Sequence, residues 1–247
     1  MSWLIWLVDT ITDILGLLLI LAMMGFGIYV LWDEQNIYQS ADASVYEIYH
    51  PDAQDSNRAD ELAGLRARNP DVIAWLQIDD TQIDYPVVRG EDNLRYVSTD
   101  VFGKYSLSGS IFLDYRNASD FSDVNSVIYG HYMQKESMFG DLKLFTDARF
   151  FQMHRYGELY FAGQWHTLEL FSFCEVDAYQ KTIYDVKKSP EEQAEYLKNL
   201  EQISRYFRKI DIGAEEHFVS LSTCIPGKGT DGRYVLTGRI TDRPVTE

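Results

Sequence analysis

The chain has 247 residues, of which 46% are hydrophobic and 14% aromatic; this is enough for one sizeable core, and 16 Gly with 17 Tyr suit a strand-rich fold. A formal charge of -16, with no cluster of Lys and Arg set against 38 acidic residues, excludes nucleic acid as a partner. The two cysteines, Cys174 and Cys224, lie 50 positions apart with no CxxC or HExxH motif, so no metal site is indicated.

Residues 14–32, ILGLLLILAMMGFGIYVLW, form a run of 19 without a charge. At 1.5 Å per residue this spans about 28 Å, matching a bilayer core of roughly 30 Å. Trp3 and Trp6 before the run, with Tyr29 and Trp32 at its end, fit the two membrane interfaces. Ala41-Asp42-Ala43 resembles a signal-peptidase site, but it lies about nine residues past the run and a basic leader is missing, which favours a retained anchor over residues 1–32. No Lys or Arg precedes Arg58, so flanking charge gives no orientation.

Residues 33–54 are polar and read as a stalk, leaving 55–247 as one globular domain. Residues 55–68 are expected to form a short amphipathic helix with Leu62 and Leu65 facing inward, ended by Asn69-Pro70. Strands are expected over 72–78 (VIAWLQI), 83–88 (IDYPVV), 110–113, 126–129, 158–162 and 167–176. The stretch 139–154 carries helical spacing at Leu142, Phe145 and Phe150. A helix is predicted over 190–208: Ser189-Pro190-Glu191-Glu192 supplies an N-cap, a first-turn Pro and a capping-box Glu, followed by an apolar stripe from Tyr196 to Phe207. It lies between two strands and so is a crossover on the outside or rim. The fold class is mainly β (α+β).

The last segment, HFVSLSTCIPGKGTDGRYVLTGR (217–239), reads as two strands joined by a loop of turn formers. Paired as a hairpin, they bring Cys224 opposite Arg233, about 5 Å apart between Cα atoms. A thiol beside a fixed guanidinium is favoured as thiolate and gains a donor for an oxyanion; a small buried hydrophobe is the other reading. A Cys174–Cys224 disulfide would consume the thiol, and Cys174 in LELFSFCEV reads as core. Five histidines are candidate bases: His50, His131, His154, His166 and His217. His217 lies seven residues before Cys224, an odd number that puts the two on opposite strand faces. His131, where the apolar run SVIY ends in Gly130, has the setting of a strand end and is the strongest of the five.

LSTC (221–224), YGH (129–131) and GRYVLTGR (232–239) resemble the sortases, membrane-anchored cysteine transpeptidases of Gram-positive bacteria. The resemblance extends through NPDVIAWLQIDDTQIDYPVV (69–88), DNLRYV (92–97) and GSIFLD (109–114) and is nearest to class B. It implies a closed β-barrel of about eight strands with helices ahead of it and a helix between late strands, which the segment 190–208 fits. It implies Cys224 as nucleophile, His131 as acid/base and Arg233 as the substrate and oxyanion arginine, with Asn93, Tyr129, Ser222 and Thr223 lining the substrate groove. Arg239 would share the strand face of Arg233, but the motif places the functional arginine at the strand start. Some class B members carry an acid just after the cysteine, whereas Ile225-Pro226 follows here.

The implied reaction cleaves an NPxTG- or LPxTG-like sorting signal of a surface protein or pilin between Thr and Gly. The acyl group then passes to an amine of a peptidoglycan precursor or a pilin lysine, and no cofactor is needed. The implied location is the plasma membrane, single-pass, with the N-terminus cytoplasmic and the catalytic domain outside. A cysteine hydrolase releasing to water and a non-catalytic adhesive domain are the competing classes.

Overall fold

The computed structural model describes residues 2–51, 62–135, 137–186, 189–213, 215–229 and 231–242. The chain divides into two compact units, Met1–Gln39 and Ser40–Glu247. The first is formed by α1 (Ser2–Ser40) up to Gln39, and its apolar side chains from Trp3 to Trp32 are exposed. By length and composition this helix is able to cross a membrane.

The second unit is a barrel. Its strands are β1 (Val72–Ile78), β2 (Asp84–Val88), β3 (Ile111–Leu113), β4 (Asn125–Tyr129), β5 (Tyr156–Phe161), β6 (Gln164–Asp177), β7 (Tyr206–Phe207), β8 (Phe218–Cys224) and β9 (Gly232–Thr241). The order β5-β1-β2-β3-β4-β8-β9-β6 returns to β5 through the β5–β6 hairpin, so eight strands close the ring, and β7 adds to β6 outside it. The pairs β2–β3 and β4–β8 are parallel; the remaining pairs are antiparallel. Closure leaves the ring without a terminal strand, but β6 runs on past its pairing with β5, and β7 adds to the edge left open there. Among the described residues the short helices of this unit are α2 (Ala63–Arg66), α3 (Ala148–Met153), α4 (Lys181–Tyr184) and α5 (Gln193–Ile203), with several 3-10 turns.

Two apolar clusters hold this unit together. Leu76, Leu159, Leu168, Phe173, Val219, Leu221 and Leu236 fill the barrel. Outside the wall, Tyr196 and Leu200 of α5 pack on Phe171, Cys174, Phe218 and Val235, residues that point away from the lumen. Alternate residues of one strand thus feed two cores, which explains the near-continuous burial of β8.

Several expectations are refined. Residues 52–61 of the helix expected over 55–68 lie outside the described residues; beyond them only Ala63–Arg66 is helical, with Leu62 and Leu65 fully buried as the spacing predicts. Residues 41–50, expected within a stalk, pack on the barrel. The Tyr85 hydroxyl donates to the Ala41 oxygen at 2.8 Å, and Tyr46 is buried beside Phe102. The stretch 139–154 is a 3-10 turn, Gly140–Thr146, followed by α3, with Asp147 capping the Phe150 N–H at 2.8 Å.

The helix predicted over 190–208 opens with a 3-10 turn, Pro190–Glu192, in which the Glu192 carboxylate accepts from the Ser189 N–H at 3.2 Å in the manner of a capping box, and becomes α-helical from Gln193. It ends early, at Ile203. Backbone bonds from Arg205 N–H to Phe173 O and from Arg208 N–H to Phe171 O draw the chain onto the open edge of β6, and Phe207 packs on Phe171. Pairing with a free sheet edge thus outweighs one more helical turn.

Leu200 is fully buried between α5 and the barrel wall. Leu200→Ala is expected to cost about 2–4 kcal/mol, read by urea unfolding of the fragment Ser40–Glu247. A loss below about 1 kcal/mol would show that α5 stands outside the cooperative unit.

Candidate active site

The site follows from the pleat of three neighbouring strands. On β8, Val219 and Leu221 face the lumen, so Phe218, Ser220, Ser222 and Cys224 face outward. Residues directly opposite on paired strands share a face, and the register sets Ser220 against Thr237, Ser222 against Val235 and Cys224 against Arg233. The parallel neighbour β4 places Val127 beside Ser220 and Tyr129 beside Ser222. β4 ends at Tyr129, and one more step of two residues along the chain reaches His131, which lines the same groove as Cys224 and Arg233. The side chains expected as nucleophile and oxyanion donor are therefore opposed in one row on the outside of the wall, and the expected acid/base lines the groove with them.

Gly130 makes that last step possible. Its N–H donates to the Ser222 oxygen at 3.2 Å, and its own oxygen accepts from the Thr223 hydroxyl at 2.8 Å, so β4 stays locked to β8 past its formal end. A Cβ at Gly130 would fall 2.5 Å from Ile111 Cδ1 and 2.7 Å from Phe139 Cδ2, which no side chain fits without displacing the barrel core.

A groove of about 720 Å³ runs over this row. Asn93, Tyr129, His131, Ser222, Thr223, Cys224 and Arg233 all line it, so the seven residues expected from the sequence meet in one place. Cys224 is exposed, whereas Cys174 is fully buried against Ser172 and Ser204; both thiols are free, and burial pushes the Cys174 thiol up. A buried thiol held neutral is unreactive. Arg233 is half-buried and donates from Nη1 to the Gly232 oxygen at 2.9 Å.

The remaining histidines are placed elsewhere. His217 sits at the far end of β8, with Nδ1 3.1 Å from the Asp123 oxygen. His50 meets Asp84 at 3.3 Å, His154 caps α3 through the Phe150 oxygen, and His166 pairs with Asp242. Arg239 lies opposite Phe218 and is bound by Glu169 at 2.6 Å, far down β9 from Arg233. The side chain after the cysteine, Ile225, is buried, so this position is apolar.

Sequence reasoning did not single out the groove's supporting network. Asp114, at the end of the quoted GSIFLD, is fully buried and accepts from Arg116 through two bonds, 2.9 and 2.7 Å, and from the Tyr129 hydroxyl at 2.9 Å. Arg116 also donates to the Tyr184 oxygen at 3.0 Å, and the Tyr184 hydroxyl lies 2.8 Å from Ser222 Oγ, its ring stacked with that of Tyr129. Burial pushes the Tyr184 phenol up to about 12, against the opposing effect of the Ser222 bond. The signal for Tyr184 was weak: KTIY is a single helical turn between a strand and α5.

Burial raises the Asp114 carboxyl, but the Arg116 bonds and then that of Tyr129 outweigh it, so it lies below its ordinary value. A depressed folded-state value contributes stability above the unfolded value near ~3.9, lost as pH falls through the folded value. Asp114→Asn is expected to lose about 1–3 kcal/mol at pH 7 and to flatten stability against pH below about pH 4, measured by urea unfolding across that range. Parallel curves for the two proteins would contradict this assignment.

The comparisons with known proteins agree with this architecture. The family model described as the Sortase domain matches residues 76–241. Sortase B of Listeria monocytogenes is 32% identical over 229 residues, covering 89% of this chain and 90% of that protein. The crystal structure of a Streptococcus pyogenes class B sortase involved in pilus biogenesis is 40% identical, with TM-score 0.66, over 72% of this chain and 96% of that one. That of Bacillus anthracis sortase B in complex with AAEK1 is 29% identical, with TM-score 0.71, over 87% and 98%. With the family model covering more than half of the chain and the exposed thiol in its groove, the chain belongs to the sortase family of cysteine transpeptidases, in class B.

Proposed function

We propose that this sortase recognises an NPxTG- or LPxTG-like sorting signal in the groove, with Cys224 as nucleophile, His131 as acid/base and Arg233 as oxyanion donor. The observation that carries the reading is the shared groove: Cys224 and Arg233 are directly opposed in the β8–β9 register, and His131, two residues past the end of β4, lines the same groove. Asn93, Tyr129, Ser222 and Thr223 then form the walls that seat the peptide. Asn93 is itself anchored, its Oδ1 accepting from the Tyr115 N–H at 3.0 Å.

In this reading the Cys224 thiolate attacks the Thr carbonyl carbon and Arg233 supports the developing oxyanion. The C–N bond to Gly breaks as His131, in its imidazolium form, protonates the departing amine, leaving a thioester and a neutral imidazole. An acceptor amine then gives its proton to His131, forms the new amide and releases the thiolate. The acceptor is a wall-precursor amine or a pilin lysine. Similarity to the S. pyogenes enzyme involved in pilus biogenesis is the reason to include the second.

The exposed apolar helix α1 supports a membrane anchor, and membership of the sortase family is the reason to place the catalytic domain at the cell surface with the N-terminus in the cytoplasm. Protease added to intact protoplasts is expected to degrade the Ser40–Glu247 unit; full protection would reverse the topology.

The chemistry is tested by intact mass of the chain mixed with NPxTG- and LPxTG-type peptides, with and without triglycine or a lysine-containing peptide. A covalent adduct on Cys224 equal to the peptide cleaved after Thr, discharged by amine, is expected; Cys224→Ala should form none and Arg233→Ala should slow it by roughly 10²- to 10³-fold. Release to water at the same rate with and without amine would favour a hydrolase. Unmodified Cys224 with every peptide would remove the sorting-signal assignment.

A further inference from the structure

His131 Nε2 lies 2.8 Å from the backbone oxygen of Val97. A carbonyl oxygen only accepts, so this contact is a hydrogen bond when Nε2 carries the proton. In the neutral imidazole the bare nitrogen is then Nδ1, because the partner of one ring nitrogen decides the state of the other.

The acceptor is held in a stiff frame. Val97 closes the 3-10 turn Arg95–Val97, whose central residue, Tyr96, is fully buried. The Tyr96 hydroxyl donates to Asp71 at 2.7 Å and accepts from the Asn69 amide at 2.9 Å, while its backbone oxygen accepts from the Ser110 N–H at 2.9 Å. Gly109, with φ 58°, presses against the same turn: a Cβ there would fall 2.5 Å from the Tyr96 oxygen and 2.6 Å from the Val97 oxygen. Val97 also lines the groove, beside Asn93.

We propose that Val97 is a positioning residue for the acid/base: its carbonyl holds His131 as the Nε2–H tautomer, so that Nδ1 is the atom that gives and takes the proton. This rests on the reading of His131 as acid/base. The imidazolium transfers the Nδ1 proton to the departing Gly nitrogen as the C–N bond breaks, and keeps Nε2–H on Val97 throughout. Nδ1 then removes a proton from the acceptor amine as its nitrogen bonds the acyl carbon and the C–S bond breaks.

The direct test is nitrogen NMR of the full chain in detergent micelles with ¹⁵N-labelled histidine, the His131 signals being those absent from His131→Gln. At a pH where the ring is neutral, Nε2 is expected to show the pyrrole-type shift with a directly bonded proton, and Nδ1 the pyridine-type shift. A proton on Nδ1, or shifts averaged between the tautomers, would overturn the proposal.

Gly109→Ala is expected to crowd the Val97 oxygen, to average the two tautomers and to lower kcat by about 10- to 100-fold with KM within about twofold. Averaged tautomers with unchanged kcat would overturn the role assigned to Val97, and the spectrum of the unsubstituted chain decides should this variant fail to fold. The expected spectrum in a chain that forms no thioester would overturn the acid/base reading beneath the proposal. A reversed tautomer in an active chain would overturn this inference alone.

Discussion

Everything at the site depends on the phase of the pleat in β8. Its residues alternate between the barrel lumen and an outer layer, so a slip of one residue would send Cys224 into the apolar core and turn Thr223 outward. Two ladders fix the phase from either side: parallel pairing with β4 and antiparallel pairing with β9. The phase is further pinned by a buried polar cluster on the outer face, where Ser220 Oγ meets Asn125 Oδ1 at 2.9 Å and Thr237 Oγ1 at 3.0 Å. The hairpin β8–β9 and the distant strand β4 meet at this cluster, two rows below the cysteine.

The outer layer turns this row into a groove. α5 covers the lower part of β8, with Tyr196 and Leu200 seated on Phe218 and the Tyr196 hydroxyl 3.4 Å from Ser220 Oγ. Higher up, α4 contributes Tyr184, bonded to Ser222, and there the cover ends, leaving Cys224 exposed. The two cysteines show how one strand-rich wall yields opposite chemistry. Cys174 lies under α5 and is part of a core, whereas Cys224 lies past the cover beside an arginine. On the β3–β4 side, the buried Asp114 gathers Arg116 and Tyr129 into a single network, so a wall of the groove is braced by charge-assisted bonds.

Much of this was legible in the sequence because it follows from period 2. The alternation in FVSLSTC, the turn formers after it and the aromatic strand beyond gave the hairpin and the opposition of Cys224 and Arg233; the odd spacing set His217 aside. The end of the late helix was not legible, since the apolar stripe through Phe207 fits a helix and an edge strand equally, and only the open edge of β6 decides between them. Residues 41–50 were read as a stalk because their polarity hides the few anchors, Ala41 and Tyr46, that dock on the barrel. The roles of Asp114, Arg116 and Tyr184 depend on contacts between distant segments, such as the bond from Arg116 to Tyr184, 68 positions away, which no local pattern encodes.

The most direct test of the central claim is a crystal structure of the chain with a sorting-signal mimetic joined to the Cys224 sulfur. The account predicts the peptide in the groove over the outer face of β8, flanked by Asn93 and Tyr184, with the oxygen of its terminal carbonyl about 2.7–3.2 Å from Arg233. A peptide lying along another face of the barrel, or a carbonyl oxygen turned away from Arg233, would contradict it.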